Sequence, residues 1–251
     1  MDVPIQNPGG NGLNVFMDQR TERLHAQNPA AVKKDAIFIW IPKVAGSSIS
    51  NLLEDNGARI LKRESLQSQN RNTGVTNFGH CKITDLLKNG IITQEYYDRA
   101  LKFAFVRNPW DRFVSLYNYY RRVSRKGRSV IERNISFTEF CLRIFLSRLP
   151  KVGYQIPPVG PWHVRKFSQC NPQLDWITDD DGKIFVDFVG RYESLQDHFG
   201  ILRSILKIGG ELPQDNKADK SQHYRNQYNI VTKKIVRDIY KKDVLAFGYR
   251  F

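Results

Sequence analysis

Ala36-Ile-Phe-Ile-Trp-Ile-Pro-Lys-Val-Ala-Gly-Ser-Ser-Ile-Ser-Asn-Leu-Leu53 is the stretch that decides the fold. Ala36–Ile41 is a continuous apolar run, rich in β-branched and aromatic residues, the pattern of a strand covered on both faces. Pro42 ends it. After Lys43–Ser48 the apolar residues return at Ile49, Leu52 and Leu53 with helical spacing, and Asn56-Gly57 stops the helix. The unit reads strand, short loop, helix.

The same order returns downstream. Lys102-Phe-Ala-Phe-Val106 is a second apolar strand, followed by Arg107-Asn-Pro-Trp110 and a helix. Phe113, Leu116, Tyr117 and Tyr120 stand at i, i+3, i+4 and i+7 on one face of that helix. Asn108 suits its N-cap and Pro109 its first turn. A third strand is expected at Phe185–Val189. It feeds a helix carrying Leu195, Phe199, Leu202 and Leu206, closed by Gly209-Gly210. A last helix is expected from Val231 to Tyr240, ahead of Phe247-Gly-Tyr-Arg-Phe251. Alternating strands and helices predict an α/β fold, a single domain over residues 35–251 with a central, mainly parallel sheet flanked by helices. Residues 1–34, rich in Asn, Gln, Pro and Gly, are expected to form an irregular arm with a short helix around Val15–His25.

Length and composition agree with one sizeable domain. Hydrophobic residues make up 41% of the 251, enough to bury a core, so global disorder is excluded. The longest apolar run is too short to span a bilayer, and the N-terminus lacks a basic cluster followed by an apolar segment. A cytoplasmic protein is expected, with no membrane and no nucleic-acid partner; the oligomeric state is not legible. Cys81, Cys141 and Cys170 are widely spaced and odd in number, which argues against a disulfide framework and a cysteine zinc site. No metal constellation is visible. The 39 Lys and Arg against 25 Asp and Glu give a net charge of +14, which attracts anions of many kinds.

The loop after the first strand narrows that choice. A strand-to-helix loop presents unpaired N–H groups at the positive end of the helix dipole. Small residues at Ala45, Gly46, Ser47 and Ser48 let a phosphate approach the backbone, and Lys43 adds an ammonium. The G-x-x-x-x-G-K-[ST] pattern of nucleoside triphosphatases is absent. Ligands of such folds bind at the carboxyl ends of strands, where both Lys43 and Arg107 fall.

Pro42-Lys-Val-Ala-Gly-Ser-Ser48 resembles the P-loop-like 5′-phosphosulfate-binding loop of sulfotransferases that use 3′-phosphoadenosine 5′-phosphosulfate (PAPS). Phe105-Val-Arg-Asn-Pro-Trp-Asp-Arg-Phe-Val-Ser115 resembles their 3′-phosphate-binding segment. Phe185–Glu193 and Asp243–Phe251 resemble the carbohydrate sulfotransferases and their soluble bacterial relatives. The resemblance implies a PAPS-dependent sulfotransferase acting on a hydroxyl or amine of a small metabolite or carbohydrate, and releasing 3′-phosphoadenosine 5′-phosphate (PAP). It implies donor contacts from Lys43, Val44, Ala45, Gly46, Ser47 and Ser48, from Arg107 and Ser115 at the 3′-phosphate, and from Arg225. Lys43 is implied to neutralise the leaving phosphate. His80, in Asn77-Phe-Gly-His-Cys81 ahead of a helix at Thr84–Lys88, is implied as the base; an unperturbed imidazole titrates near neutral pH. Glu64 and His163 are the competing bases.

Other features read as structure. His25 and His198 are expected at the surface, and Asp179-Asp-Asp-Gly182 as a β-turn. Arg121–Arg133 is basic and turn-rich, read as a loop over the site, and Tyr154–Trp162 as a second loop. Two alternatives compete with sulfuryl transfer: a polyanion-binding module without catalysis, and a P-loop-like kinase.

Overall fold

The computed structural model describes residues 16–17, 35–60, 74–125, 134–149, 169–212 and 224–251. The chain divides into two compact units, Met1–Arg107 with Asp175–Gln214, and Asn108–Leu174 with Asp215–Phe251. Strands β1 (Phe16–Met17), β2 (Ala36–Ile39), β3 (Arg59–Ile60), β4 (Val75–Asn77), β5 (Leu101–Val106) and β6 (Phe188–Arg191) all belong to the first unit. The helices, in chain order, are α1 (Gly46–Asp55), α2 (Ile83–Lys88), α3 (Gln94–Arg99), α4 (Pro109–Arg125), α5 (Phe137–Ser147), α6 (Leu174–Ile177), α7 (Leu195–Leu206), α8 (Ile230–Ile239) and α9 (Lys241–Phe247).

The strands form one sheet in the order β1-β6-β5-β2-β4-β3. Every neighbouring pair is parallel except β1 with β6. The central strands β2 and β5 are buried at every position, which is why they read as apolar runs, broken only by Lys102 in β5. Phe38, Phe103 and Phe188 lie in one paired row across β2, β5 and β6. The first two stack with ring centres 5.2 Å apart. Gly190 pairs with Phe105, and a Cβ there would come within 2.3 Å of the Phe105 ring, so the missing side chain makes room for that ring.

Two polar devices lock the sheet. Lys102 is buried because its ammonium donates to the carbonyls of Tyr97 and Ala100 and lies 3.4 Å from Asp187. Asp187 also accepts the Lys102 N–H at 2.7 Å, so neither charge is left bare. On the other side, the buried Tyr96 of α3 places its hydroxyl 2.9 Å from the Gly74 carbonyl and 2.9 Å from Thr76 Oγ1, tying α3 to β4.

The second unit is helical and aromatic. Phe113 and Tyr117 of α4 pack against Phe137 and Phe140 of α5 at 5.2–5.9 Å. The C-terminal Phe251 meets Trp110, Tyr224 and Tyr228 at 5.4–5.8 Å. Asn108 caps α4 as expected: its side chain accepts the Trp110 N–H at 3.1 Å. Arg112, fully buried, donates to the carbonyls of Gln169 and Asn171, while Asp243 accepts the N–H groups of Gln173 and Leu174. Burial raises the Asp243 pKa, against the pull of the Gln173 N–H and Arg112.

Several expectations shift. The third strand begins at Phe188 and not at Phe185, because residues 178–184 fold back as a hairpin. Thr178 bridges Ile184, and Asp179 accepts the N–H groups of Asp181 and Lys183, so the Asp179–Gly182 turn stands. Within Val15–His25, Phe16–Met17 pairs along β6 as a strand, where unpaired edge groups offer it backbone partners; the rest of that range lies outside the described residues. Arg121–Arg125 is the end of α4, so the basic stretch begins as helix; residues 126–133 and the Tyr154–Trp162 loop lie outside the described residues. His198 is buried, not at the surface, and its Nδ1 accepts the Arg191 N–H at 2.8 Å; His25 lies outside the described residues.

Burial lowers the His198 pKa from its ordinary 6.5. The native ring therefore binds fewer protons than the unfolded one, and stability is complete above 6.5 and falls as pH drops below it. His198→Asn, which keeps an acceptor for Arg191, is expected to lose less of its stability between about pH 7 and 5 than the wild type. Denaturant melts across that range measure it, and equal slopes contradict it.

Candidate active site

Three residues among those described are non-glycine with positive φ: Lys43 at 70°, Ala45 at 62° and Lys207 at 54°. Lys207 is an ordinary helix C-cap. Lys43 and Ala45 stand together between β2 and α1, where each left-handed L-residue costs roughly 1–2 kcal/mol. Such strain collects where a backbone must present its groups to a ligand. Ala45 is the N-cap of α1 and supplies no side-chain cap. The first N–H to find a helical partner is that of Ile49, bonded to the Ala45 carbonyl at 3.1 Å. The amides of Gly46, Ser47 and Ser48 precede it, at the positive end of a ten-residue helix.

Gly46 is fixed by sterics. A Cβ at this position would sit 1.8 Å from Trp40 Nε1, so the indole covers the position where any side chain would stand. The loop is thereby pressed between Trp40 and the start of α1. Lys43 and Ser48 are half-buried and Ser47 is exposed.

Arg107, at the end of β5, reaches the same loop. Its Nη1 donates to the Lys43 carbonyl at 3.3 Å, and its guanidinium lies over the Tyr192 ring with Cζ 4.1 Å from the ring centre. Lys43 and Arg107, predicted at adjacent strand ends, are thus brought together in the first unit. β2 and β5 are neighbours in register, which fixes the spacing of their ends.

His80 joins them through Trp40. Its Nδ1 lies 2.9 Å from the Trp40 carbonyl oxygen, and the two rings are 4.8 Å apart. A carbonyl only accepts, so Nδ1 carries the hydrogen and the lone pair of the neutral ring is on Nε2. Trp176 lies edge-on to the imidazole at 6.3 Å. Asn77, buried at the end of β4, donates to Ser50 Oγ of α1 at 2.7 Å and accepts the Gly79 N–H at 2.8 Å. One amide thus holds the turn before His80 against the helix that follows the loop.

Ser115 and Arg225 belong to the second unit. Ser115 is half-buried within α4, and Arg225 is exposed, its guanidinium 5.7 Å from the ring centres of both Tyr224 and Phe251. Glu64 and His163, the competing bases, lie outside the described residues. Cys81 is half-buried, and burial pushes the Cys141 thiol up to about 12. Among the described residues no group of three or more His, Cys, Asp and Glu is arranged to hold a metal ion.

Sequence reasoning missed Trp40, Asn77, Tyr192 and Trp176. Trp40 and Tyr192 adjoin strand ends and were in plain view, but only tertiary packing says which ring lies on which loop. The one sequence signal was Gly46 inside the loop, a glycine whose neighbour had to be found.

The molecule is similar to the crystal structure of mouse sulfotransferase SULT7A1 complexed with PAP, with 16% identity and a TM-score of 0.42, covering 84% of this chain and 69% of that one. In sequence it is 29% identical over 124 residues to an uncharacterized protein of Archaeoglobus fulgidus, an overlap of 49% of this chain and 78% of the relative. The family model described as "Sulfotransferase family" matches residues 31–250, nearly the whole chain and both strand-end loops. The chain belongs to the sulfotransferase family.

Proposed function

We propose that this protein moves a sulfuryl group from PAPS to a hydroxyl, or an amine, of a small metabolite or carbohydrate, and releases PAP. One observation carries the proposal: the left-handed turn at Lys43 and Ala45 leads into an uncapped helix, with the Arg107 guanidinium against it. That combination suits an anion with two phosphate-like ends. In the proposal the amides and hydroxyls of residues 44–48 take the 5′ end, with Lys43. Arg107 and Ser115 take the 3′-phosphate, and Arg225 adds a contact to the donor. Residues 35–251 then act as one sulfotransferase domain, with 1–34 as an arm.

PAPS supplies the activated sulfuryl group. As the bond from sulfur to the bridging oxygen breaks and the bond to the acceptor oxygen forms, the electron pair stays on the bridging oxygen. The Lys43 ammonium neutralises that growing charge, a contribution made mainly in the transition state. The amides of Gly46–Ser48 are held in place by the strained turn, so they need no reorganisation at the moment of transfer. His80 takes the acceptor proton on Nε2, because Nδ1 is committed to the Trp40 carbonyl.

Arg107→Ala tests the donor. PAP affinity is expected to fall about ten- to a hundredfold, the weight of a charged hydrogen bond or two, while adenosine 5′-phosphosulfate, which lacks the 3′-phosphate, falls far less. Calorimetric titration of both ligands decides it; equal losses remove Arg107 from the 3′-phosphate.

His80→Ala is expected to lower turnover by about 10²- to 10⁴-fold with PAP affinity unchanged. Wild-type activity falls on acidification as the imidazole protonates, and the variant loses that acidic limb. Rate–pH profiles of His80→Ala beside Glu64→Gln separate the candidates. A fully active His80→Ala enzyme contradicts the base assignment and leaves the donor assignment intact.

A further inference from the structure

Helices α8 and α9 follow one another directly, with Tyr240 alone between them. The Tyr240 N–H donates to the Val236 carbonyl and the Val244 N–H to the Tyr240 carbonyl, so the two helices meet at this one residue, whose φ of −109° and ψ of 29° lie outside the helical region. One face is buried, through Thr232, Ile235, Val236, Ile239, Asp243 and Phe247. The opposite face carries Ile230, Lys234, Arg237, Lys241 and Leu245, spaced by three or four residues and all exposed. Lys233 and Lys242 flank that line and are exposed as well. Asp238 is the only acid on the exposed face of the pair.

The apolar members are unusual. Ile230 is 89% exposed, Val231 59% and Leu245 71%, the three most exposed large hydrophobics among the described residues. A soluble polyanion has little use for exposed aliphatics: a sulfated glycan or a nucleic acid is met by cations, polar groups and stacked rings. A bilayer with anionic headgroups uses both kinds, cations at the phosphate level and aliphatics just beneath it. Among the described residues no helix is long and apolar enough to cross a membrane, so such a contact would lie in the interface plane. We propose that the α8–α9 face docks the protein peripherally on an anionic lipid surface. This departs from the absence of a membrane partner expected from the sequence, an expectation built on the lack of a spanning segment. It is independent of the proposed chemistry, since none of these residues is assigned to donor or acceptor.

Vesicle sedimentation of the full chain tests it. Vesicles of phosphatidylcholine alone are expected to leave the protein in solution, and those with about 30% phosphatidylserine to pellet it, less so as salt rises. Ile230→Ser with Leu245→Ser, and separately Lys234→Glu with Arg237→Glu, are each expected to weaken pelleting about tenfold. Retention on heparin, a soluble polyanion, should fall for the charge variant only. All four side chains are exposed, so melting temperatures should hold; if a double variant fails to fold, Leu245→Gln and Arg237→Gln replace it. Failure of the wild type to pellet with the anionic vesicles overturns the proposal. So does vesicle binding by the serine variant equal to wild type, which would make the face a general polyanion surface. Undiminished binding by the charge variant overturns it too, by placing the contact elsewhere.

Discussion

The indole of Trp40 lying on Gly46 is the contact around which the candidate site is arranged. It leaves no room for a side chain at the first residue of α1. It also fixes the path of the chain from β2, which must turn through left-handed conformations at Lys43 and Ala45 to reach the helix. The same tryptophan offers its carbonyl to His80 and packs on its ring. A single residue therefore sets the shape of the loop and the orientation and tautomer of the imidazole. The cost of two left-handed L-residues, roughly 1–2 kcal/mol each, is carried by the rigidity of the sheet below.

That rigidity comes from β2 and β5. Both are buried throughout, paired in register and packed by the phenylalanine row, so the pairing sets the distance between their carboxyl ends. Lys43 follows one end and Arg107 the other, and their hydrogen bond measures how closely the two loops approach. Tyr192, just past β6, backs the Arg107 guanidinium from a third strand. Asn77, at the end of β4, does the same for the His80 turn. Four neighbouring parallel strands thus each contribute, at one edge of the sheet, a residue that holds or belongs to the site.

Much of this was legible because the signals were local. Ala36–Ile41 and Phe103–Val106 are short apolar runs rich in β-branched and aromatic residues and followed by turn residues, the pattern of buried strands. The loop at Lys43–Ser48 and the Asn108-Pro109 helix start are likewise short-range patterns. What escaped the sequence was long-range. His198, expected at the surface, is buried with its Nδ1 on the Arg191 N–H, a pairing that nothing in the local sequence announces. Asn77 and Tyr192 serve partners 27 and 85 positions distant, the Ser50 hydroxyl and the Arg107 guanidinium, and no periodicity announces such pairs. The strand at Phe16–Met17 failed as a helix for the same reason: an open sheet edge, not local propensity, decided its conformation.

The central claim is that the strained turn presents the backbone of residues 46–48 to the phosphosulfate end of the donor. Amide chemical shifts followed by ¹⁵N NMR during a titration with PAP test it most directly. The amides of Gly46, Ser47 and Ser48 are expected to show the largest downfield movements in the first unit, as N–H groups that gain an anionic acceptor. PAP binding that leaves those three amides unmoved would contradict the account.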